Sequence, residues 1–184
     1  MGYSTDFTGQ FNLDKPLTEA HAAYLRKFSE TRRMKRDNGL IEPLLDPLRI
    51  AAGLPVGHEG EYYVGDKPQM ITKHNSILNY NAPSSTQPGL WCQWVPTADY
   101  KSIMWDQGEK FYNYTEWLKY IIQHFLQPWG YVLNGSVDWQ GEDTNDHGTI
   151  IVVNNVITTP DDDEPPSENE KEEDTEDEDS DDEY

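Results

Sequence analysis

Hydrophobic and polar positions alternate over residues 3–13, which is the period of a β-strand with one apolar face. After this strand, Thr18 can cap a helix that we predict to run to about Arg33, because apolar side chains recur there every three or four residues. The positions that set these two patterns are Tyr3, Phe7, Phe11 and Leu13 in the strand and Ala22, Leu25 and Phe28 in the helix.

The segment 37–90 shows little periodicity and contains six prolines, so we expect no long element there. The pattern predicts a short helical turn around residues 41–50 and a short strand at residues 60–66. Residues 81–89 are predicted to form an ordered loop, because aromatic side chains lie on both sides of them.

From residue 90 onward the pattern predicts a strand at 90–96 and its hairpin partner at 102–106. A second helix is predicted to begin at Asn113, with Glu116 completing a capping box. Apolar side chains then recur on one helix face as far as Phe125. Three further strands are predicted at 131–140, 147–153 and 156–159, with Asn154 and Asn155 as a two-residue turn between the last two.

This order of elements predicts an α+β fold. Strands joined by tight turns pair antiparallel, and helices can cover one face of such a sheet. We therefore predict a single two-layer domain over residues 1–159, with a mainly antiparallel sheet and two helices on one face. A disordered acidic C-terminal tail over residues 160–184 is predicted to follow it, because this segment is rich in proline and acidic residues.

The charge of the chain is concentrated in that tail. The formal net charge is -20, and residues 161–184 hold 16 of the 34 acidic residues and one of the 14 basic ones, a net of -15. Residues 1–160 therefore carry a net charge of only -5. The tail can keep the protein soluble, compete for a basic site within this chain or on a partner, or mimic a nucleic acid.

The densest group of cations lies in residues 26–36, where a single acid, Glu30, accompanies six basic side chains. A solvated helix face is one interpretation, and contact with a polyanion such as nucleic acid is the other. The candidate polyanion contacts are Arg26, Lys27, Arg32, Arg33, Lys35 and Arg36.

The sequence predicts no catalytic, cofactor-binding or metal-binding residue. The acidic loop 141–148 is interpreted as a polar hairpin connection, because its spacing is not that of a calcium loop. Cys92 is predicted to be a buried, unreactive thiol. Trp91, Trp94 and Trp105 are interpreted as core residues rather than as platforms for stacked bases.

Several classes of protein do not fit the sequence. No apolar run approaches the roughly 18 residues that a membrane helix needs, and the N-terminal residues lack the pattern of a secretory signal. A single cysteine forms no internal disulfide, which fits a reducing cytosol. We therefore expect a cytoplasmic protein that does not interact with membranes.

Four segments of the chain carry a resemblance to a known family. They are Gly2-Tyr3-Ser4-Thr5-Asp6-Phe7, Phe28-Ser29-Glu30-Thr31-Arg32-Arg33-Met34, Gln87-Pro88-Gly89-Leu90-Trp91-Cys92-Gln93-Trp94 and Trp129-Gly130-Tyr131-Val132-Leu133-Asn134-Gly135. The chain resembles an uncharacterised family of small cytosolic proteins encoded by bacteria and tailed bacteriophages. The resemblance covers about residues 1–157 and implies a cytosolic protein of phage or bacterial origin, without implying an activity or a cofactor.

Together these patterns predict a non-enzymatic cytosolic interaction protein whose partner is another protein. One alternative is a nucleic-acid-associated protein that uses the basic stretch 26–36, with the acidic tail as an internal competitor. A second alternative is an enzyme whose site lies among the loops 53–89 and 141–148.

Overall fold

The computed structural model of the chain describes residues 2–66 and 74–158. The strands are β1 (Thr5–Leu13), β2 (Lys35–Arg36), β3 (Ile77–Asn79), β4 (Trp94–Pro96), β5 (Ser102–Trp105), β6 (Leu133–Gly141), β7 (His147–Val153) and β8 (Val156–Thr158). The helices are α1 (Glu19–Ser29), α2 (Asn38–Ile41), α3 (Pro47–Ala51) and α4 (Tyr114–Ile121). A 3₁₀ turn spans His58–Gly60, and a π-helical turn over Ile122–Leu126 continues α4.

Six strands form one antiparallel sheet in the order β4-β5-β1-β6-β7-β8. The long strands β1 and β6 lie at its centre, with Phe7 opposite Trp139 and Thr8 opposite Asp138. Strands β2 and β3 form a separate two-stranded sheet. The predicted α+β fold with a mainly antiparallel sheet is confirmed.

One face of the six-stranded sheet packs against the helices. Phe7 and Phe11 point to this face from β1, and Val137 points to it from β6. They belong to the same core cluster as the buried residues of α1 and α4, so the two layers share one core. Trp117 and Ile121 of α4 are 0% and 1% exposed, which confirms the apolar face that the sequence predicted for this helix.

Helix α1 begins as predicted but ends four residues early. The Thr18 side chain accepts a hydrogen bond from the His21 N–H, which caps the first turn. The helix ends at Ser29 rather than near Arg33. The Arg33 N–H instead donates to the Leu90 carbonyl, so the chain has already joined a neighbouring segment at that point.

Helix α4 starts without the predicted capping box. Asn113 has a φ of 55° and makes no side-chain cap hydrogen bond. Its side-chain amide donates instead to the carbonyl of Pro88, at 2.8 Å. Asn113 therefore ties the loop before α4 to the segment at Pro88, and the capping role predicted for Asn113 and Glu116 is wrong.

The strand predicted at residues 60–66 is absent from the structure. The N–H groups of Val64 and Gly65 donate to the Asp46 carboxylate. The Tyr62 carbonyl accepts a hydrogen bond from the Tyr24 hydroxyl. Side chains thus satisfy the backbone groups that a neighbouring strand would otherwise bind, and the segment stays irregular.

The strand predicted at residues 90–96 is shorter than expected, because it begins only at Trp94. Trp94 is buried in the core, Trp105 is partly buried, and Trp91 is 42% exposed. Strands β4 and β5 do form the predicted hairpin, with Trp94 opposite Trp105. The core interpretation therefore holds for Trp94 and is wrong for Trp91.

The turn between β7 and β8 is built as predicted. Asn154 and Asn155 have φ values of 48° and 68°, the left-handed conformation that a two-residue hairpin turn of type I′ requires. Strand β8 ends at Thr158. The predicted acidic tail lies outside the residues that the structure describes.

Candidate interaction surface

The six predicted polyanion contacts do not share one surface. Arg26 and Lys27 lie on the last turn of α1. The other four follow the helix, where the chain turns into an irregular segment and the short strand β2. These four are Arg32, Arg33, Lys35 and Arg36.

Arg33 is enclosed by the protein and is only 2% exposed. Its Nη2 donates to the carbonyl oxygens of Gly60, Glu61 and Tyr63, at 3.4, 3.1 and 2.5 Å. The guanidinium also lies over the Phe28 ring, 4.4 Å from its centroid. Burial lowers the pKa of this side chain. The prediction that Arg33 contacts a polyanion is therefore corrected, because the side chain holds the loop at residues 60–63 instead.

Arg36 is also buried, with 5% of its surface exposed. Its Nη1 donates to the Ser76 hydroxyl at 2.8 Å, and its guanidinium lies over the Tyr63 ring. Burial lowers its pKa as well. The predicted polyanion contact at Arg36 is corrected for the same reason, since an external phosphate does not reach an enclosed guanidinium.

Arg32 and Lys35 are partly exposed and have protein partners. The Arg32 Nε donates to the Tyr80 carbonyl at 3.0 Å, and its guanidinium lies 4.2 Å from the centroid of the Tyr80 ring. The Lys35 ammonium is 3.2 Å from a carboxylate oxygen of Glu59. Glu59 therefore offsets the charge of Lys35 at the surface.

Arg26 and Lys27 line a shallow depression of about 280 Å³ beside α1. Glu19 and Glu30 line the same depression, so two acids accompany the two cations. A phosphate backbone binds where positive charge is in excess. The described surface of the 26–36 stretch shows no such excess at this depression.

A buried cluster around Glu61 joins an irregular loop to the π-helical turn. Glu61 is 6% exposed, and its Oε1 accepts a hydrogen bond from the Tyr120 hydroxyl at 2.8 Å. The His124 Nδ1 lies 3.8 Å from the same oxygen and 2.6 Å from the Tyr62 hydroxyl. Gln87 donates to the Glu61 carbonyl and to the Tyr120 hydroxyl. Hydrogen bonds thus join Gln87, Tyr120 and Glu61, and the hydrogen-bonded pair of His124 and Tyr62 lies beside them.

Burial shifts the titration of this cluster. It raises the pKa of Tyr62 to about 12 and raises that of Tyr120, while it lowers the pKa of His124. Both phenols therefore keep their protons near neutral pH, and the imidazole is largely uncharged. The His124 side chain is partly exposed, since 31% of it reaches solvent.

A second polar cluster lies at the surface, where His58, Glu59 and Ser85 meet. The His58 Nε2 is 3.1 Å from the Ser85 hydroxyl and 2.9 Å from the Glu59 carboxylate. The Ser85 hydroxyl donates to that same carboxylate at 2.9 Å. In a nucleophile relay the acid and the hydroxyl bind opposite ring nitrogens. Here both face one nitrogen, so the contacts fix the loop without activating the hydroxyl.

The loop 141–148 connects β6 and β7 as a polar hairpin. Its Asp146 accepts a hydrogen bond from the Tyr3 hydroxyl at 2.5 Å, and its Glu142 accepts one from the Ser4 N–H. Within residues 2–66 and 74–158, no group of three His, Cys, Asp or Glu side chains gathers as a metal site would require. Cys92 is buried, and burial raises its pKa to about 12, which matches the predicted unreactive thiol.

The face of the six-stranded sheet that points away from the helices is exposed. On its central strands it carries polar side chains, including Thr8 and Gln10 of β1 and Ser136 of β6. A shallow depression of about 320 Å³ lies at one end, where Asp6 and Asp138 provide two carboxylates. The other side chains lining that depression include Thr8, Gln140, His147 and Thr149.

An apolar strip lies on the same open face, at the edge formed by β7 and β8. It consists of Ile151, Val153 and Val156, which are 37%, 53% and 60% exposed. Val153 lies directly opposite Val156, and Ile151 lies opposite Thr158. The sequence pattern predicts strands for these residues but not their exposure, because strand periodicity alone does not show which face of a sheet is covered.

Comparison with known proteins gives no match for the chain. No protein-family model, no curated protein and no solved structure matches it. The resemblance to phage and bacterial proteins therefore stays a prediction. Among the helices that the structure describes, none has the length and apolar character to cross a membrane.

Proposed function

We propose that the chain is a non-enzymatic interaction protein that binds a basic partner protein in the cytosol. The observation that carries this proposal is the segregation of charge, with a net of -15 in residues 161–184 against -5 in the rest of the chain. A dense run of acids attracts a positively charged surface over distances of about one Debye length, 8–10 Å at physiological salt.

The folded part of the chain supports an acidic rather than a basic binding surface. Arg33 and Arg36 are buried, and Lys35 is paired with Glu59. The open sheet face carries Asp6 and Asp138 instead. A basic protein therefore fits both the tail and the domain, whereas a nucleic acid would be repelled by both.

Affinity capture tests this proposal with two full-length baits. One bait is the natural chain, and the other has the 16 acids of residues 161–184 replaced by Asn and Gln. Both are exposed to a lysate of cells that express the protein, with and without nuclease treatment, and each captured protein is purified and bound again to the baits. We expect a basic protein that the natural chain retains and the neutralised chain loses, with weaker retention at high salt.

Two results would contradict the proposal. Equal retention of the same purified partner by both baits would show that the tail charge is not used. Capture that disappears on nuclease treatment would identify nucleic acid as the ligand and favour the alternative that the sequence raised for residues 26–36.

A further inference from the structure

The apolar strip Ile151, Val153 and Val156 forms a triangle of side chains across two neighbouring strands. Rows along a strand repeat every two residues, at about 6.6–6.8 Å, and neighbouring strands lie about 4.8 Å apart. The strip continues along β7 from Thr149, whose hydroxyl donates to Asp138 at 2.7 Å. An apolar patch and an acidic depression thus share the open sheet face, side by side.

We propose that a cationic amphipathic helix of the partner protein docks on this open face, with its apolar side on the strip and its Lys or Arg side chains toward Asp6 and Asp138. This inference rests on the proposed function, because it assumes that the partner is basic. It adds the place on the domain where the partner binds and the form of the segment that binds there.

The negative charge of the open sheet face favours a positively charged binding partner. At the described positions of the open face, Asp6 and Asp138 occur with no Lys or Arg among their neighbours on the central strands. Strand β8 ends at Thr158, which lies opposite Ile151 of the strip, and the 16 acids of residues 161–184 follow it in the sequence. A second copy of the chain would bring its own net charge of -20 to the same place, and the tail itself would be repelled by the two aspartates.

The short edge of the sheet favours a helix over an added strand. Strand β8 has three residues. In a type I′ hairpin, Val153 and Val156 form a hydrogen-bonded pair, and along β8 hydrogen-bonded and non-hydrogen-bonded pairs alternate. Within β8, only Ile157 therefore points its N–H and C=O away from β7, toward the free edge of the sheet. An added strand would gain few backbone hydrogen bonds there. A helix placed over the face instead buries the strip and gives the sheet a second layer.

Fluorescence anisotropy on the full-length protein tests the docking site. The probe is a labelled Lys/Leu peptide of about 18 residues, about five helical turns, with Leu on one face. The control peptide has the same composition in an order that destroys this face. Affinities are measured at about 0.1 M and 1 M salt, where the Debye length falls from about 10 Å to about 3 Å.

Three protein variants separate the contribution of the apolar strip to peptide binding from that of the tail acids. The variant Ile151→Thr/Val153→Thr/Val156→Thr removes the apolar strip while keeping residues that favour strands. Its matched control, Leu45→Thr/Ile50→Thr, changes apolar side chains that are 72% and 64% exposed elsewhere. The third variant neutralises the tail acids. Thermal unfolding of each variant confirms that it is folded.

We expect the strip variant to bind the amphipathic peptide about tenfold more weakly at both salt concentrations, and the control variant to bind it like the natural protein. The neutralised tail should weaken binding at low salt and leave it unchanged at high salt. The peptide with the shuffled order should bind only at low salt and should not distinguish the strip variant from the natural protein.

The outcomes distinguish this inference from the proposed function. Unchanged affinity in the strip variant, or equal binding of the two peptides, would overturn the docking site while a loss on tail neutralisation still supports a basic partner. A weakened strip variant with no effect of the tail would keep the docking site and overturn the role of the tail charge. A dimer of the natural protein that the strip variant abolishes would identify a second copy as the occupant and overturn the proposed helix.

Discussion

Arg33 shows how one side chain determines the course of a loop. Three carbonyl groups of residues 60–63 converge on its Nη2, and the Phe28 ring covers the guanidinium. Among the described residues Arg33 forms no salt bridge, so carbonyl dipoles and an aromatic face replace a carboxylate. Such an arrangement stabilises the native loop only while all of its acceptors remain paired.

Replacing Arg33 by Met should therefore destabilise the protein by about 3 kcal/mol, because the buried carbonyl groups lose their donor. The matched control is Arg26→Met, since Arg26 is exposed and makes one long hydrogen bond to Pro96, and its cost should stay within about 0.5 kcal/mol. Urea unfolding of both variants measures the difference. Equal stabilities would mean that water reaches the carbonyl groups at residues 60–63.

The histidines make stability depend on pH. Burial lowers the pKa values of His21 and His124 below the usual value near 6.5. Between the folded and unfolded pKa values the unfolded chain binds more protons, so the free energy of unfolding falls as the pH drops through about 6.5. It stops falling, for these two groups, once the pH is below their folded pKa values.

Unfolding measured from about pH 7.5 to about pH 5.5 checks this prediction. The natural protein should lose stability over this range, and the variant His21→Gln/His124→Gln should lose less. His124 lies against Tyr62, Tyr120 and Glu61, and the carboxylate opposes the shift by favouring the charged ring. Parallel curves for the two proteins would show that neither histidine contributes to the pH dependence.

At the scale of elements, sequence patterns predicted the parts of the fold that depend on local periodicity. Strands β1, β6 and β7, and helix α4 together with the π-helical turn that continues it, lie within one or two residues of their predicted positions, because each buries one regular face in the core. The end of α1 and the course of residues 60–66 depend on partners distant in sequence, such as Leu90 for Arg33. Periodicity carries no information about such contacts.

The two residues of the turn between β7 and β8 contribute to it in different ways, one through its backbone conformation alone and the other also through its side chain. Asn154 and Asn155 both have positive φ, which glycine adopts without strain. Asn155 alone uses its side chain, which accepts from the Leu133 N–H at 2.7 Å and donates to the Tyr131 carbonyl at 3.0 Å. These bonds fix the hairpin to the start of β6.

We therefore expect Asn155→Gly to cost about 1–2 kcal/mol, because two hydrogen bonds are lost and the turn itself remains possible. Asn154→Gly should be neutral within about 0.5 kcal/mol, since glycine suits the same conformation. Thermal unfolding of the two variants compares them directly. A larger loss for Asn154→Gly would indicate that the turn, rather than the attachment to β6, limits stability.

The candidate surface was only partly predictable from the sequence. The acidic tail and its charge could be predicted from composition. The burial of Arg33 and Arg36 could not, because a run of basic residues has the same sequence pattern whether its side chains are buried or exposed. The Glu61 cluster combines residues from an irregular loop with Tyr120 and His124. Neither motif nor spacing marks residues about 60 positions apart as neighbours.

At the scale of the whole molecule, two acidic residues lie on the face of the sheet that the helices leave open. The helices cover one face of the sheet, and the other face carries aspartates and an apolar strip next to the point where the tail begins. A dense run of acids attracts a positively charged surface. This arrangement supports the proposal of a basic partner, since the domain itself offers the tail little excess positive charge.

If the tail serves a partner rather than the fold, removing it should leave the domain intact. A chain ending at Thr158 keeps β8 and all of its pairs with β7, and we expect its midpoint of thermal unfolding to stay within about 3 °C of the natural value. At low salt the midpoint should rise slightly, because the removed segment carries a net charge of -15 near a domain that is itself negative.

A chain ending at Val153 provides the control, since it loses β8 and the two hydrogen bonds of Asn155, and its midpoint should fall well below both. Calorimetry of the three chains makes the comparison. A large loss on removal of residues 159–184 alone would show that the tail packs on the domain, and the acids would then belong to the fold and not to a partner.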